Sequence, residues 1–149
     1  MKPVGALVEH QEMATVTPDA TVAEAARRMA ERGIGALPIV EGERLVGIFT
    51  ERDVLIRVVA AGLDPSRTPV RDVMTTGLVV ASVAESYDDC LRRMQHAGIR
   101  HLLVLREGRL AGILSQRDLL RMDVIEKDET ITLLNAYVHD IPVVLRPKR

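Results

Sequence analysis

Arg44-Leu45-Val46-Gly47-Ile48-Phe49-Thr50-Glu51-Arg52-Asp53 returns, 65 residues later, as Arg109-Leu110-Ala111-Gly112-Ile113-Leu114-Ser115-Gln116-Arg117-Asp118. The same shift places Arg27-Arg28-Met29 on Arg92-Arg93-Met94, Gly33-Ile34 on Gly98-Ile99 and Leu37 on Leu102 without a gap. Residues 27–55 and 92–120 share 13 identities in 29 pairs, and several of the others exchange one apolar residue for another. Two copies of this length read as a pseudo-symmetric pair and not as an array of short repeats.

Working outward, each copy spells the same elements. Thr21 and Glu24, like Ser86 and Asp89, have the spacing of a capping box. A helix follows over 22–32 and 87–97, with Val22, Ala25, Ala26 and Met29, or Tyr87, Cys90, Leu91 and Met94, on one face. Gly33 and Gly98 stand where a left-handed residue ends a helix. The nearly continuous apolar runs Ala36–Glu41 and His101–Leu105 predict strands buried on both faces. Tight turns lead to second strands, Leu45–Thr50 and Leu110–Ser115, and second helices are expected over about 51–61 and 116–125. Short extended segments at Thr15–Thr17 and Val79–Ala81 open the units. The fold class is α/β (α+β): two tandem β-α-β-β-α units too small to bury their sheets alone, and therefore sharing an interface.

The expected boundaries are 3–62 for the first unit, 63–76 for a linker, 77–125 for the second unit and 126–149 for a C-terminal helix and tail. In the linker, Thr68 reads as an N-cap and Pro69 as the first residue of a short helical turn. In the tail, a separate amphipathic helix is expected over Thr130–His139, ended by Pro142, with Pro147–Arg149 frayed.

Composition narrows the function. The 149 residues are 47% hydrophobic and 28% charged, with net charge -1. No basic block marks a nucleic-acid footprint, and an aromatic content of 2% leaves no stacking platform for bases. Neither a transmembrane run nor a leader is read in the chain. Cys90 is the single cysteine, so no internal disulfide can form; it is expected as a buried hydrophobe in a protein of the reducing cytoplasm. His10, His96 and His139 lack metal-ligand spacing, and no nucleophile elbow or phosphate-binding glycine loop is present. A catalytic role is not expected.

The chemistry-bearing residues sit where the second strands meet the second helices. Thr50-x-x-Asp53 and Ser115-x-x-Asp118 each place a hydroxyl three residues before a carboxylate. That is an ordinary helix cap, and it is also a device that can grip vicinal hydroxyls beside helix amides that favour an anion. Arg52 and Arg117 lie in first turns, where the helix dipole disfavours a cation, a hint of an anionic ligand nearby. Gly35-Ala36 would let a flat ring approach the backbone, whereas the corresponding Arg100-His101 could face phosphates. This inequality predicts two unlike sites, or one working and one vestigial.

These motifs resemble the cystathionine-β-synthase (CBS) domain family, with Asp72-Val73-Met74-Thr75 similar to the segment that opens the second member of a tandem pair. The resemblance covers residues 3–122. It implies two units packed through their sheets with pseudo-twofold symmetry, two clefts, and a non-catalytic sensor of AMP, ADP, ATP or another adenosine-containing ligand, with Mg²⁺ accompanying a polyphosphate left open. By position, Asp53 and Asp118 would hold ribose hydroxyls, and Thr50 and Ser115 the ribose or phosphate. Thr17 and Ser82 would approach from the start of each unit, Gly35 and Ala36 would meet the adenine, and Arg100 and His101 the phosphates. Val83-Ala84 in place of Pro18-Asp19 makes the opening of the second cleft less typical. The resemblance also implies a disc-shaped homodimer. With no catalytic or transporter segment in view, regulation would act on a separate partner or through the tail. The competing reading is a ligand-free dimerisation or scaffold module in which the junction motifs are caps alone.

Overall fold

A run of apolar residues with no polar alternation can be satisfied only between two packed layers, and both central strands are so placed. The computed structural model describes residues 2–140. The elements are α1 (Gly5–Val8), α2 (Val22–Arg32), β1 (Ala36–Glu41), β2 (Arg44–Thr50), α3 (Glu51–Asp53, continued by a π-helical stretch Val54–Val59), β3 (Val80–Ser82), α4 (Tyr87–Ala97), β4 (His101–Arg106), β5 (Arg109–Ser115) and α5 (Gln116–Asp140). Leu37 and Ile39 of β1 face the first unit's core with Val22, Ala25 and Met29 of α2. Leu102 and Val104 of β4 face the second core with Tyr87, Cys90 and Met94. The opposite faces of the sheets meet each other: Ala36, Ile48 and Leu103 form a third cluster with Leu45, Leu78, Val80, Leu110 and Ile113, and this joins the units.

Local signals fix the rest of each unit. Thr21 accepts from the Glu24 amide (3.1 Å) while Glu24 accepts from the Thr21 amide (3.0 Å), a complete box. Its counterpart is half made. Ser86 accepts from the Asp89 amide, but the Asp89 carboxylate takes the Ser86 hydroxyl and Arg92 instead of the Ser86 amide. Gly33 (φ 61°) and Gly98 (φ 64°) end their helices in the left-handed region, which costs a residue without Cβ least. Strands β1 and β2, like β4 and β5, pair antiparallel, and both hairpins carry an irregularity after the equivalent residues Ile39 and Val104. Strand β3 joins β4 in parallel, whereas in the first unit only Val16 bridges Ile39.

The units exchange their opening segments. Pro3–Val8 completes the second unit: the Val4 amide donates to Glu85 O (2.8 Å), the Gly5 amide to Val83 O (2.9 Å), and Val4 and Val8 enter the second core. The linker completes the first unit in the same way. The Val70 amide donates to Ala20 O (2.8 Å), the Arg71 amide to Pro18 O (3.1 Å), and Val70 and Val73 enter the first core. Each segment crosses a glycine of the second strand. A Cβ on Gly47 would meet Met74 Sδ at 2.5 Å, and one on Gly112 would meet Val8 Cβ at 2.5 Å.

Three expectations are corrected. Thr68 does not cap the linker turn: its hydroxyl donates to Asp64 O (2.8 Å), and extended Pro69 occupies the cap position before a 3-10 turn, Val70–Asp72. The helix after β2 is not α-helical to residue 61. It widens into π geometry, which keeps Val58 in the core while Arg57 reaches Asp53 and the carbonyls of Val73 and Met74. The last helix does not break near residue 125: α5 is one helix of 25 residues, with no glycine or proline inside it to stop it. The expectations for Pro142 and Pro147–Arg149 lie outside the described residues.

Candidate functional site

Both strand-to-helix junctions form the cap read from the sequence, but only one leaves its carboxylate open. At the first, Asp53 Oδ2 accepts from the Thr50 amide (3.0 Å) and hydroxyl (3.1 Å), and Thr50 Oγ1 accepts from the Asp53 amide (3.2 Å). The linker then seals it. The Thr75 hydroxyl donates to Asp53 Oδ1 (3.1 Å), Arg57 Nε stands 3.5 Å away, and Asp53 retains 5% of its surface. At the second, Asp118 accepts from the Ser115 amide (2.8 Å), Ser115 Oγ accepts from the Asp118 amide (3.1 Å), and Asp118 stays exposed.

The difference comes from the exchanged segments. Thr75 pairs with Ile48 backbone to backbone, N–H to carbonyl in both directions at 2.9 Å. At the equivalent Ile113 the partner is the Gln11 side chain: its Nε2 donates to Ile113 O and its Oε1 accepts from Ile113 N, each at 2.8 Å. A carboxamide thus does the work of a peptide group, and no hydroxyl is brought to Asp118.

Asp118 opens into a cleft of about 920 Å³. Gly33, Ile34, Gly35 and Ala36 of the first unit form one side; Arg100, His101, Ser115 and the first turns of α5 form the other. The pairs Gly35-Ala36 and Arg100-His101, expected to distinguish two clefts, therefore meet in one. The reason is the sheet packing, which brings the starts of β1 and β4 together across the pseudo-twofold axis. Ala36 pairs with Thr50 and His101 with Ser115, so each strand start lies beside a helix start. A Cβ on Gly35 would run into the Glu51 carboxylate, the end of a flexible side chain, and lie 3.3 Å from His101 Cε1.

The charges in the cleft are mixed. Arg100, Arg117 and Arg121 supply guanidiniums and Glu51 and Asp118 carboxylates; in the first turn of α5 the Gln116 amide donates to Arg100 O (2.8 Å) and the Asp118 amide to Ser115 Oγ. Burial holds the His101 pKa below its ordinary 6.5; Glu51 and Asp118 pull it back up, and Arg100 pushes it further down. Leu120 and Val124 give an apolar wall. Such a cleft can receive a small anion-bearing molecule with an apolar part, and its volume suits one.

Five expected residues lie elsewhere. Thr50, Arg52 and Asp53 do not line the cleft, Asp53 because the linker seals it. Thr17 lines a separate cavity with Arg27, Arg28 and Glu31. Ser82 is committed to its own turn, its amide donating to Glu85 (2.6 Å) and its hydroxyl accepting from the Ala84 amide (3.3 Å). Sequence reading missed Gln11, Glu51, Arg121 and Val124. Arg121 and Val124 follow from Arg117 by helical spacing, whereas nothing local marks Gln11. Among the described residues, no cluster of His, Cys, Asp and Glu could hold a metal ion, and no helix is long and apolar enough to cross a membrane.

Comparison with known proteins fits this architecture. The CBS domain family matches residues 4–60 and 70–124. CBS domain-containing protein YhcV of Bacillus subtilis is 39% identical over 108 residues, 72% of this chain and 76% of its own; two longer relatives are spanned for 60% and 62% of their length. A putative signal-transduction protein with CBS domains from Burkholderia ambifaria superposes with a TM-score of 0.78 at 33% identity, covering 83% of this chain and 95% of that one. The CBS domain pair of protein MJ0100, solved with 5'-methylthioadenosine and S-adenosyl-L-methionine, shares the fold at a TM-score of 0.74 and 23% identity, covering 85% and 98%. The chain belongs to the CBS domain family, as a regulatory module of two CBS domains in tandem.

Proposed function

We propose that this CBS pair is a one-site sensor of an adenosine nucleotide (AMP, ADP or ATP), bound in the cleft at the β5–α5 junction. The observation that carries the reading is the open Asp118 carboxylate at the start of α5, set against the sealed Asp53. In this reading Asp118 and Ser115 take the ribose hydroxyls. Arg100 and Arg117 take phosphate at the positive end of the α5 dipole, and the backbone at Gly35-Ala36 meets the adenine. That the same fold holds adenosine compounds in protein MJ0100 supports the choice of ligand class. Any Mg²⁺ would arrive on the polyphosphate. Occupancy is passed on through α5, whose first turn carries the ligand contacts and whose far end lies more than 30 Å away at about 1.5 Å per residue.

The test is calorimetric titration with AMP, ADP, ATP and S-adenosylmethionine, with and without Mg²⁺. One site per chain is expected, lost in Asp118→Ala and kept in Asp53→Ala. Absence of binding by every adenosine compound, together with a melting temperature none of them raises, returns the chain to the scaffold reading.

A further inference from the structure

The distal half of α5 lies beyond the matched CBS residues. Tyr87 Oη donates to Glu126 Oε2 (2.5 Å), the last tie to α4. From Lys127 to Val138 every residue is exposed. A helical segment of that length with its apolar side chains in water is marginal, and burying them would stabilise it.

Its sequence states what would bury them. Leu120, Val124, Lys127, Ile131, Leu134 and Val138 recur at steps of 4, 3, 4, 3 and 4, the seam of a heptad. The five apolar members are 45–66% exposed. Val124, Ile131 and Val138 fall at a, each β-branched; Leu120 and Leu134 fall at d. That pairing of types is the one that selects two parallel strands. We propose that α5 forms a parallel two-stranded coiled coil with a second copy of this chain. Charge supports the register. A d-position side chain in a parallel pair is flanked by the facing e position, so Lys127, already 2.7 Å from Asp123 of its own helix, meets Asp128 of the partner subunit. Two ammonium groups then sit among four carboxylates, reached by snorkelling stems. In an antiparallel pair Lys127 would face Val or Ile at a. Leu133 stays outside the seam. Leu120 and Val124 also border the ligand cleft, so the coil would start at its mouth.

Sedimentation equilibrium of the full chain tests this. A monomer–dimer equilibrium is expected, weakened on the order of a hundredfold by Ile131→Asp/Leu134→Asp and tightened by Lys127→Leu. Neither substitution touches the body, so its melting temperature should hold. Val138→Cys in a Cys90→Ala background should oxidise to a covalent dimer, because a faces a in a parallel pair. A wild-type chain that stays monomeric, a trimer, a dimer indifferent to the double substitution, or failure of the Val138→Cys variant to cross-link overturns the proposal.

Discussion

Substituting the two junction aspartates one at a time separates their roles. Asp53 is almost wholly buried and accepts from the Thr50 amide and hydroxyl and from Thr75, with Arg57 alongside. Asp53→Ala removes the cap and the clasp between linker and first unit, and strands the Thr75 hydroxyl. Hydrogen bonds to a charged group are worth about 1.5–3 kcal/mol each, less when they share one carboxylate, so a loss of about 3 kcal/mol is expected. At about 2–4 °C per kcal/mol for a chain of this size, the melting temperature should fall by roughly 6–12 °C. Asp118 is exposed and caps one helix, so Asp118→Ala should cost about 1 kcal/mol and a few degrees. Urea and thermal unfolding read the stability, and nucleotide titration reads the site. Stability and binding should move in opposite order. If Asp118→Ala destabilises as much as Asp53→Ala, or if Asp53→Ala abolishes binding while Asp118→Ala preserves it, the assignment of one sealed and one open junction is wrong.

The glycines under the exchanged segments give a second test. Gly112→Ala should cost about 1–3 kcal/mol and expose the N-terminal segment to proteolysis, because Val8 Cβ is fixed to its backbone, whereas Gly47→Ala should cost less because the Met74 thioether can swing away; equal costs would contradict this packing. His101 should make binding pH-dependent. Its lowered pKa leaves it neutral at pH 7, and a bound phosphate would favour the imidazolium, so affinity should rise as pH falls toward 6.5 and below and lose that slope in His101→Ala. The unliganded fold should respond in the opposite sense. A histidine whose folded pKa lies below the unfolded one takes up protons on unfolding, so stability should fall as pH drops through 6.5, as urea titrations at several pH values would show. Tyr87→Phe should free the middle of α5 from α4 at a cost of about 1–2 kcal/mol, seen as faster amide exchange beyond residue 120 with the strands unchanged.

What could be read in the sequence was what neighbouring residues decide among themselves. The span of α2 is set by Thr21, Glu24 and Gly33 within 13 positions, and the strand Ala36–Glu41 by an apolar run with a turn after it. The hydroxyl-x-x-Asp junctions were legible for the same reason. The ends of the units were not. Whether Val4 packs on the first or the second core depends on residues about 80 positions away, and no local pattern records it. The continuity of α5 was legible in principle from its lack of glycine and proline, but the polar stretch Glu126–Thr130 reads as a break because a projecting helix buries no face there. Burial of Asp53 was beyond reach: it requires knowing that Thr75 lies over Ile48.

The repeat explains the fold, but its flanks explain the function. Across the duplicated cores the correspondence is 65 residues, whereas the exchanged segments correspond at 66: Pro3 with Pro69 and Val4 with Val70, each bound to equivalent partners. On that offset Glu9, not a hydroxyl residue, stands opposite Thr75, and the bridge to Ile113 falls to Gln11 two positions on. Two identical aspartates thereby acquire different fates without a change in either repeat. The sealed side should therefore open when its clasp is removed. Thr75→Val keeps the backbone bridge to Ile48 and the shape of the segment but withdraws the hydroxyl from Asp53, leaving a carboxylate with an unused acceptor. The variant should melt lower by a few degrees, at about 1–2 kcal/mol, and its first junction should become accessible to added ligand. A second, weaker binding event in titration of Thr75→Val, absent from wild type, is the expected result. Unchanged stability would mean that the Thr75–Asp53 contact holds nothing closed.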